Sequence, residues 1–182
     1  MGVLSIDEDA KVAFEVLDSG GTCILPMDVG DAFLGGTDQS IMHIFNTKKR
    51  ANSKYNAVIG NMGHHALMHK VSSRGRDIVQ AITDDYDLPL GVIAPCNTEH
   101  PLIKGINPDL YRRSTVNDTL AMLTNAGKFH AAITRLILEA DKLVFGSSAN
   151  ISTTGTKFRV EDIQDEVKDA ADLIIDYGPV KY

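Results

Sequence analysis

Two stretches of this sequence hold the residue types from which a site for a charged ligand can be built. Residues 44–56 read IFNTKKRANSKYN, with Lys48, Lys49, Arg50 and Lys54 inside seven positions and no acidic residue among them. Lysine supplies point charges and arginine a planar fork that grips two phosphate oxygens, so such a run can wrap a polyanion. The plain alternative is that basic residues at a helix C-terminus favour its dipole and stay solvated. Residues 146–152 read GSSANIS and directly follow the apolar run KLVF. Two serines and an asparagine are short neutral groups that can approach a phosphate or ribose closely. In α/β sheets, ligands gather outside the carboxyl ends of strands. Here the plain alternative is a Ser/Asn-rich turn.

The basic run is local, because the chain as a whole is acidic. Its 182 residues include 24 acidic and 18 Lys or Arg residues, for a formal charge of -6, and the pI is near 5.4. Net charge therefore argues against nonspecific binding to duplex nucleic acid, while a local patch remains open. A hydrophobic content of 43% and a charged content of 23% match an ordinary globular mixture. This length suits one domain, 1–182, with a core large enough to need no staples. Cys23 and Cys96 are far apart and form no disulfide framework. Cys23 lies in an apolar strand and reads as a packing residue. No apolar run approaches the roughly 18 residues of a membrane span, and the N-terminus has no signal-peptide pattern. The expected location is the cytoplasm, with no membrane partner.

The elements that must position these residues follow from spacing. Ser5 and Glu8 are placed as a capping box, and Ala10, Ala13, Phe14 and Leu17 follow at helical intervals up to Gly20-Gly21. TCILP (22–26) reads as a strand, and MDVGDAFLGG (27–36) as a loop with backbone freedom. A helix from Asp38 with Ile41, Ile44 and Phe45 on one face runs into the basic cluster. Strands are expected at 55–60, 88–95, 119–124, 142–146 and 172–176. Helices are expected at 74–85 (Ile78, Val79 and Ile82 inward), around 129–137, and around Val160, Ile163 and Val167. Residues 96–117 read as a long excursion. The alternation of helices and strands predicts an α/β fold, a sheet covered by helices.

Taken together, LPMD (25–28), IFNTKKR (44–50) with Lys54, and SSANIS (147–152) resemble the YrdC family, best known for threonylcarbamoyl-adenylate synthases. The resemblance runs from about residue 7 to residue 178. It implies a twisted mixed sheet covered by helices (the double-stranded-RNA-binding YrdC/RibB-type fold) with a positively charged cavity. It implies an adenylate made from ATP, bicarbonate and L-threonine or another amine for transfer RNA modification, with Mg²⁺ accompanying the nucleotide and RNA as a possible partner. Lys48 and Arg50 take the catalytic positions, and with Lys54 they match the cations that hold the triphosphate. Ser148 and Asn150 match the residues that contact the nucleotide. Met27, Asp28, Asp31 and Ser147 fall where the substrate pocket is expected.

The chain also departs from the family pattern. The loop usually resembles PT(D/E)TVYGL, and here it reads PMDVGDAFL. Met27 and Val29 replace threonines, Asp31 replaces the tyrosine, and Ala32 replaces a glycine. Leu123 in TLAMLTN stands where the family strand carries an arginine. A pocket that trades hydroxyls for Met and Val would bind threonine poorly, and Asp31 would repel a carboxylate. Arg112 and Arg113, inside 96–117, are candidates for replacement charge. An altered acceptor and a noncatalytic nucleotide- or RNA-binding role are the alternatives to the parent reaction. His65 and His69 have the i, i+4 spacing of one helix face but lack the intervening glutamate of a zinc protease, so no metal site is expected. His64 or His65, following a strand, is a candidate neighbour of the cavity. GGT (35–37) lacks the ending of a phosphate loop.

Overall fold

The computed structural model describes residues 5–49 and 55–182, so Arg50 and Lys54 lie outside the described residues. Helix α1 (Ile6–Asp18) starts at Ser5, whose side chain accepts from the Glu8 amide, and carries Asp7, Glu8 and Asp9 in its first turn. Those carboxylates favour the positive end of the helix dipole. The helix is followed by Gly20 at φ 94°, a conformation that costs glycine little. Strand β1 (Thr22–Leu25) is buried throughout. Strand β2 (Ala32–Gly35) lies inside the stretch expected to be a loop. Its glycine- and aspartate-rich surroundings concealed it. Pairing on both sides fixes it, with Cys23 opposite Leu34 on β1 and Leu34 opposite Gly146 on β7 (Phe145–Ser148).

Helix α2 (Asp38–Thr47) has a reciprocal cap between Thr37 and Ser40 and buries Ile41, Ile44 and Phe45. Strand β3 (Ala57–Ile59) leads to α3 (Met62–Met68) and α4 (Ser73–Gln80), which continues as a π-helical turn over 81–85. On α4, Val79 is buried, while Ile78, expected to face inward, is 50% exposed. Strand β4 (Leu90–Pro95) precedes the long excursion, which is not structureless. It folds as α5 (Pro101–Lys104), α6 (Pro108–Ser114) and the short β5 (Thr115–Val116). Both helices begin with proline, whose missing N–H is not needed there. Strand β6 (Thr119–Thr124) and helix α7 (Lys128–Glu139) fall as expected. The helix expected around Val160–Val167 is a 3₁₀ turn at 160–162 and a single turn, α8 (Asp165–Lys168), ahead of β8 (Leu173–Ile174).

The eight strands form one mixed sheet in the order β4-β6-β3-β7-β2-β1-β8, with β5 paired to β6. Alternation along the strands sends side chains to two cores. Cys23, Leu25 and Leu34 join α1 and α7 through Ala13, Leu17, Phe129 and Ile133. Ile24, Phe33, Val58 and Phe145 join α2 through Ile41, Ile44 and Phe45. The β2–β7 pairing has no room for a side chain at Gly146. A Cβ there would overlap the Phe33 carbonyl oxygen and crowd Leu34. Gly146→Ala is expected to cost about 1 to 3 kcal/mol or more, because the obstacle is backbone. Thermal denaturation at unchanged stability would contradict this packing.

Four histidines are part of the cores. His64, His65, His69 and His130 are all at most 5% exposed. The Nδ1 atoms of His65 and His69 lie 2.9 Å apart, so one ring donates and the other accepts. Burial pushes His64, His69 and His130 from 6.5 down to about 4. It lowers His65 as well, with Arg76 adding to the effect. The folded state therefore favours neutral rings. That preference is fully stabilising above pH 6.5 and is lost as pH falls from 6.5 toward 4. Protonating one such ring in place costs roughly 3 kcal/mol, against a total stability of about 5 to 15 kcal/mol. Asp31, a buried carboxyl raised to about 6, works the other way but is a single group. Acid unfolding followed by far-UV circular dichroism is expected to have its midpoint between pH 4 and 6.5. A native fold persisting well below pH 4 would show that these rings protonate without cost.

Candidate functional site

The two chemistry-bearing stretches of the sequence meet. Lys48 caps the C-terminal end of α2 and is only 3% exposed. Its ammonium donates to Ser147 Oγ at 2.7 Å and to the Ser148 carbonyl oxygen. The Ser152 amide donates back to the Lys48 carbonyl at 3.1 Å. A third segment joins through the Ala149 amide, which donates to the Asp31 carbonyl at 2.7 Å. Asn150 is buried, and its Nδ2 donates to the Ile151 carbonyl at 2.6 Å, which holds the turn closed. In this structure Lys48 is directed into the serine turn, and Lys49 forms an exposed ion pair with Glu166 at 3.1 Å. Exposed pairs of that kind contribute about 0 to 1 kcal/mol.

Beside the turn lies a cavity of about 250 Å³ against the sheet, lined by Met27, Asp31, Ser147 and Ser148 among others. Val29, Leu34, Ile59 and Leu123 make the rest of its wall largely apolar. Three of the four residues expected to form the substrate pocket thus come together. The fourth, Asp28, lines a separate pocket of about 490 Å³ with Asp87, Lys128 and Lys181. Its backbone is held there by the Ala126 carbonyl and the Tyr182 amide, each at 2.8 Å. Gly127, at φ 102°, allows the Asp28 carboxylate to sit where a Cβ would be.

Among the described lining residues there is no basic side chain, and Asp31 is the one acid. Asp31 is 2% exposed, its amide donates to the Lys157 carbonyl at 2.9 Å, and its Oδ2 has no hydrogen-bond partner. Burial, then repulsion from Asp176, pushes its carboxyl up from 3.8 to about 6. Arg112 and Arg113 supply no charge here. Arg112 pairs with Asp109, and the guanidinium of Arg113 lies 5.2 Å over the Phe45 ring. His64 and His65 do not line the cavity either. Among the described residues, no group of three or more His, Cys, Asp or Glu is placed to hold a metal ion. Thr156 lines the cavity and packs against Gly30, at φ 123°, and no sequence signal marked it. No helix of the described residues is long and apolar enough to cross a membrane.

No family model matches the chain, and no curated protein matches it significantly. Solved structures do. The hypothetical protein smu.1377c of Streptococcus mutans UA159 superimposes with a TM-score of 0.74 at 21% identity, over 97% of this chain and 66% of that one. Sua5 of P. abyssi, solved in complex with L-threonine, gives 0.73 at 15% identity, over 98% of this chain and 49% of that one. Full-length HypF, in a phosphate- and nucleotide-bound form, gives 0.67 at 21% identity, over 99% of this chain and 26% of that one. The chain therefore spans just under two thirds of the first protein, half of the second and a quarter of the third. Nearly all of its residues are matched each time, and the frame that carries Lys48, the serine turn and the cavity is the YrdC-like fold.

Proposed function

We propose that this chain is a YrdC-like nucleotidyltransferase that forms a carbamoyl-type adenylate from ATP, bicarbonate and an amine. One observation carries the reading. The end of the basic segment and the SSAN turn, about a hundred residues apart, are joined through Lys48, and Ser147 and Ser148 of that turn line a cavity against the sheet. Sheet-end turns in α/β folds are where ligands bind. In the proposed reaction the neutral amine and bicarbonate give a carbamate and water. A carbamate oxygen then bonds to the α-phosphorus of ATP, and pyrophosphate leaves with the displaced bridging oxygen. The protein's part is positioning and stabilisation of charge at that phosphorus. Arg50 and Lys54 are the cations assigned to the phosphates, Ser148 and Asn150 the groups assigned to the nucleotide. With no carboxylate cluster among the described residues, Mg²⁺ would arrive with the nucleotide and be held by its phosphates.

L-threonine is the acceptor implied by the sequence resemblance, and formation of a transfer RNA modification precursor is the role that goes with it. A different acceptor is favoured by the cavity wall. Met27, Val29 and Leu123 leave few hydrogen-bond partners for a substrate hydroxyl, and Asp31 disfavours a carboxylate.

Incubation with ATP, Mg²⁺, bicarbonate and L-threonine, read by mass spectrometry, is the direct test. Threonylcarbamoyl-adenylate would establish the parent reaction. Pyrophosphate release only with other amines would establish an altered acceptor, and ATP binding without any turnover would leave a noncatalytic nucleotide- or RNA-binding role. Arg50→Ala is expected to weaken ATP binding at least tenfold, since charge-assisted contacts are worth roughly 1.5 to 3 kcal/mol. Equal ATP affinity in a folded Arg50→Ala protein would remove the nucleotide assignment.

A further inference from the structure

The sheet itself makes the floor of the cavity. Leu34, Gly146 and Ala57 lie side by side across β2, β7 and β3. Ile59 lies beside Leu123 across β3 and β6. All five line the cavity, and Val29 joins them from the loop after β1. Leu34 and Ile59 are buried, while Val29, Ala57 and Leu123 keep part of their surface exposed. The hydrocarbon that a ligand would meet is therefore theirs. Among the lining residues, hydroxyl groups come from Ser147, Ser148 and Thr156 alone. Ser147 and Ser148 stand where β7 ends, and Ser147 Oγ already accepts from the Lys48 ammonium at 2.7 Å. Thr156 places its methyl carbon against Gly30. The cavity is thus polarised, with hydrocarbon over the sheet and hydroxyls at the serine turn. Its volume is about 250 Å³. An apolar cavity of about 150 Å³ is filled by benzene, so this one has room for an aliphatic group of roughly four to six carbons.

We infer that this cavity holds the side chain of the acceptor, that the side chain is branched and aliphatic, and that Val29 and Leu123 are the residues that select it. The inference rests on the adenylate-forming reading and narrows it. The polarity of the cavity orients such a ligand. Its hydrocarbon lies over the floor, and its reacting head lies at the serine turn, beside the groups assigned to the nucleotide. A side-chain hydroxyl on the floor would leave water and find no partner on Val29, Ala57 or Leu123. A methyl group in its place removes wall and ligand surface from water together. Discrimination by an apolar pocket against a hydroxyl isostere is limited to about a hundredfold.

The test compares two ligand pairs that differ only by a methyl for a hydroxyl: L-valine with L-threonine, and L-valinamide with L-threoninamide. Within each pair the head group is the same, so its own contribution cancels in the ratio. The amides lack a carboxylate and give a ratio even if that group prevents the free amino acids from binding. Affinities are read on the full chain by nuclear magnetic resonance titration. The valine member is expected to bind about 10- to 100-fold more tightly than the threonine member. Val29→Thr keeps the shape of a partly exposed loop residue and returns a hydroxyl to the wall. It is expected to shrink the ratio by at least about fivefold. The ligand ratio needs no variant, so it decides the matter even if Val29→Thr fails to fold. Equal or tighter binding of the threonine member in either pair overturns the inference. So does an unchanged ratio in folded Val29→Thr, or the absence of binding by all four ligands at tens of millimolar. ATP is titrated into the same protein. ATP binding with a failed ratio rejects the aliphatic acceptor alone, and loss of ATP binding rejects the nucleotidyltransferase reading on separate grounds.

Discussion

The open end of the sheet is organised by a buried ammonium. Taking a lysine head group out of water costs several kcal/mol unless its protons find acceptors. Lys48 finds two in the serine turn, one a hydroxyl and one a backbone carbonyl. That requirement locks the end of α2 to the end of β7. The return bond from the Ser152 amide and the link from Ala149 to Asp31 extend the lock to the loop before β2. Apolar packing makes the two cores. These directional bonds, by contrast, set where the site's loops stand. A positive charge committed in this way is part of the frame. In the proposed function the phosphates are assigned to Arg50 and Lys54, the other cations of the same run.

The cavity beside this frame has the opposite character. A nucleotide's phosphates demand cations, whereas the described wall offers hydrocarbon and one acid. The two demands are compatible only if they belong to different halves of one site. In the proposed function the basic segment and SSAN turn form one half, and the wall from Met27 to Leu123 the other. Adenylate formation has this division built in, since an anionic donor and an acceptor must approach from separate sides of the reacting phosphorus. The differences from the family loop pattern fall on the second half.

Long periodic elements were legible from the sequence for physical reasons. Helices α1 and α7 bury a continuous apolar face, and β6 shows burial alternating residue by residue. Strand β2 was not legible, because its stability comes from two partners distant in sequence and not from its own composition. Helix α3 was missed since its buried residues include His64 and His65, which read as polar until tertiary packing removes water from them. The helix expected near Val160 failed because Ile163 and Val167 are buried by a turn and one short helix. At the site, substitutions in the PMDVGDAFL loop and at Leu123 marked the altered wall. The placement of Asp28 in a separate pocket, and the contribution of Thr156, depend on loop paths that no local pattern encodes.

Why the fold accommodates apolar residues in the loop after β1 follows from where they sit. Met27 and Val29 belong to the loop after β1, yet both pack on the core shared with α1 and α7. Replacing a hydroxyl by hydrocarbon there strengthens core packing while it removes partners for a polar substrate. Asp31 runs against that trend. It is buried, unpaired and raised toward neutrality, a configuration that lowers stability above its own pKa. Core packing alone would favour an uncharged residue at this position.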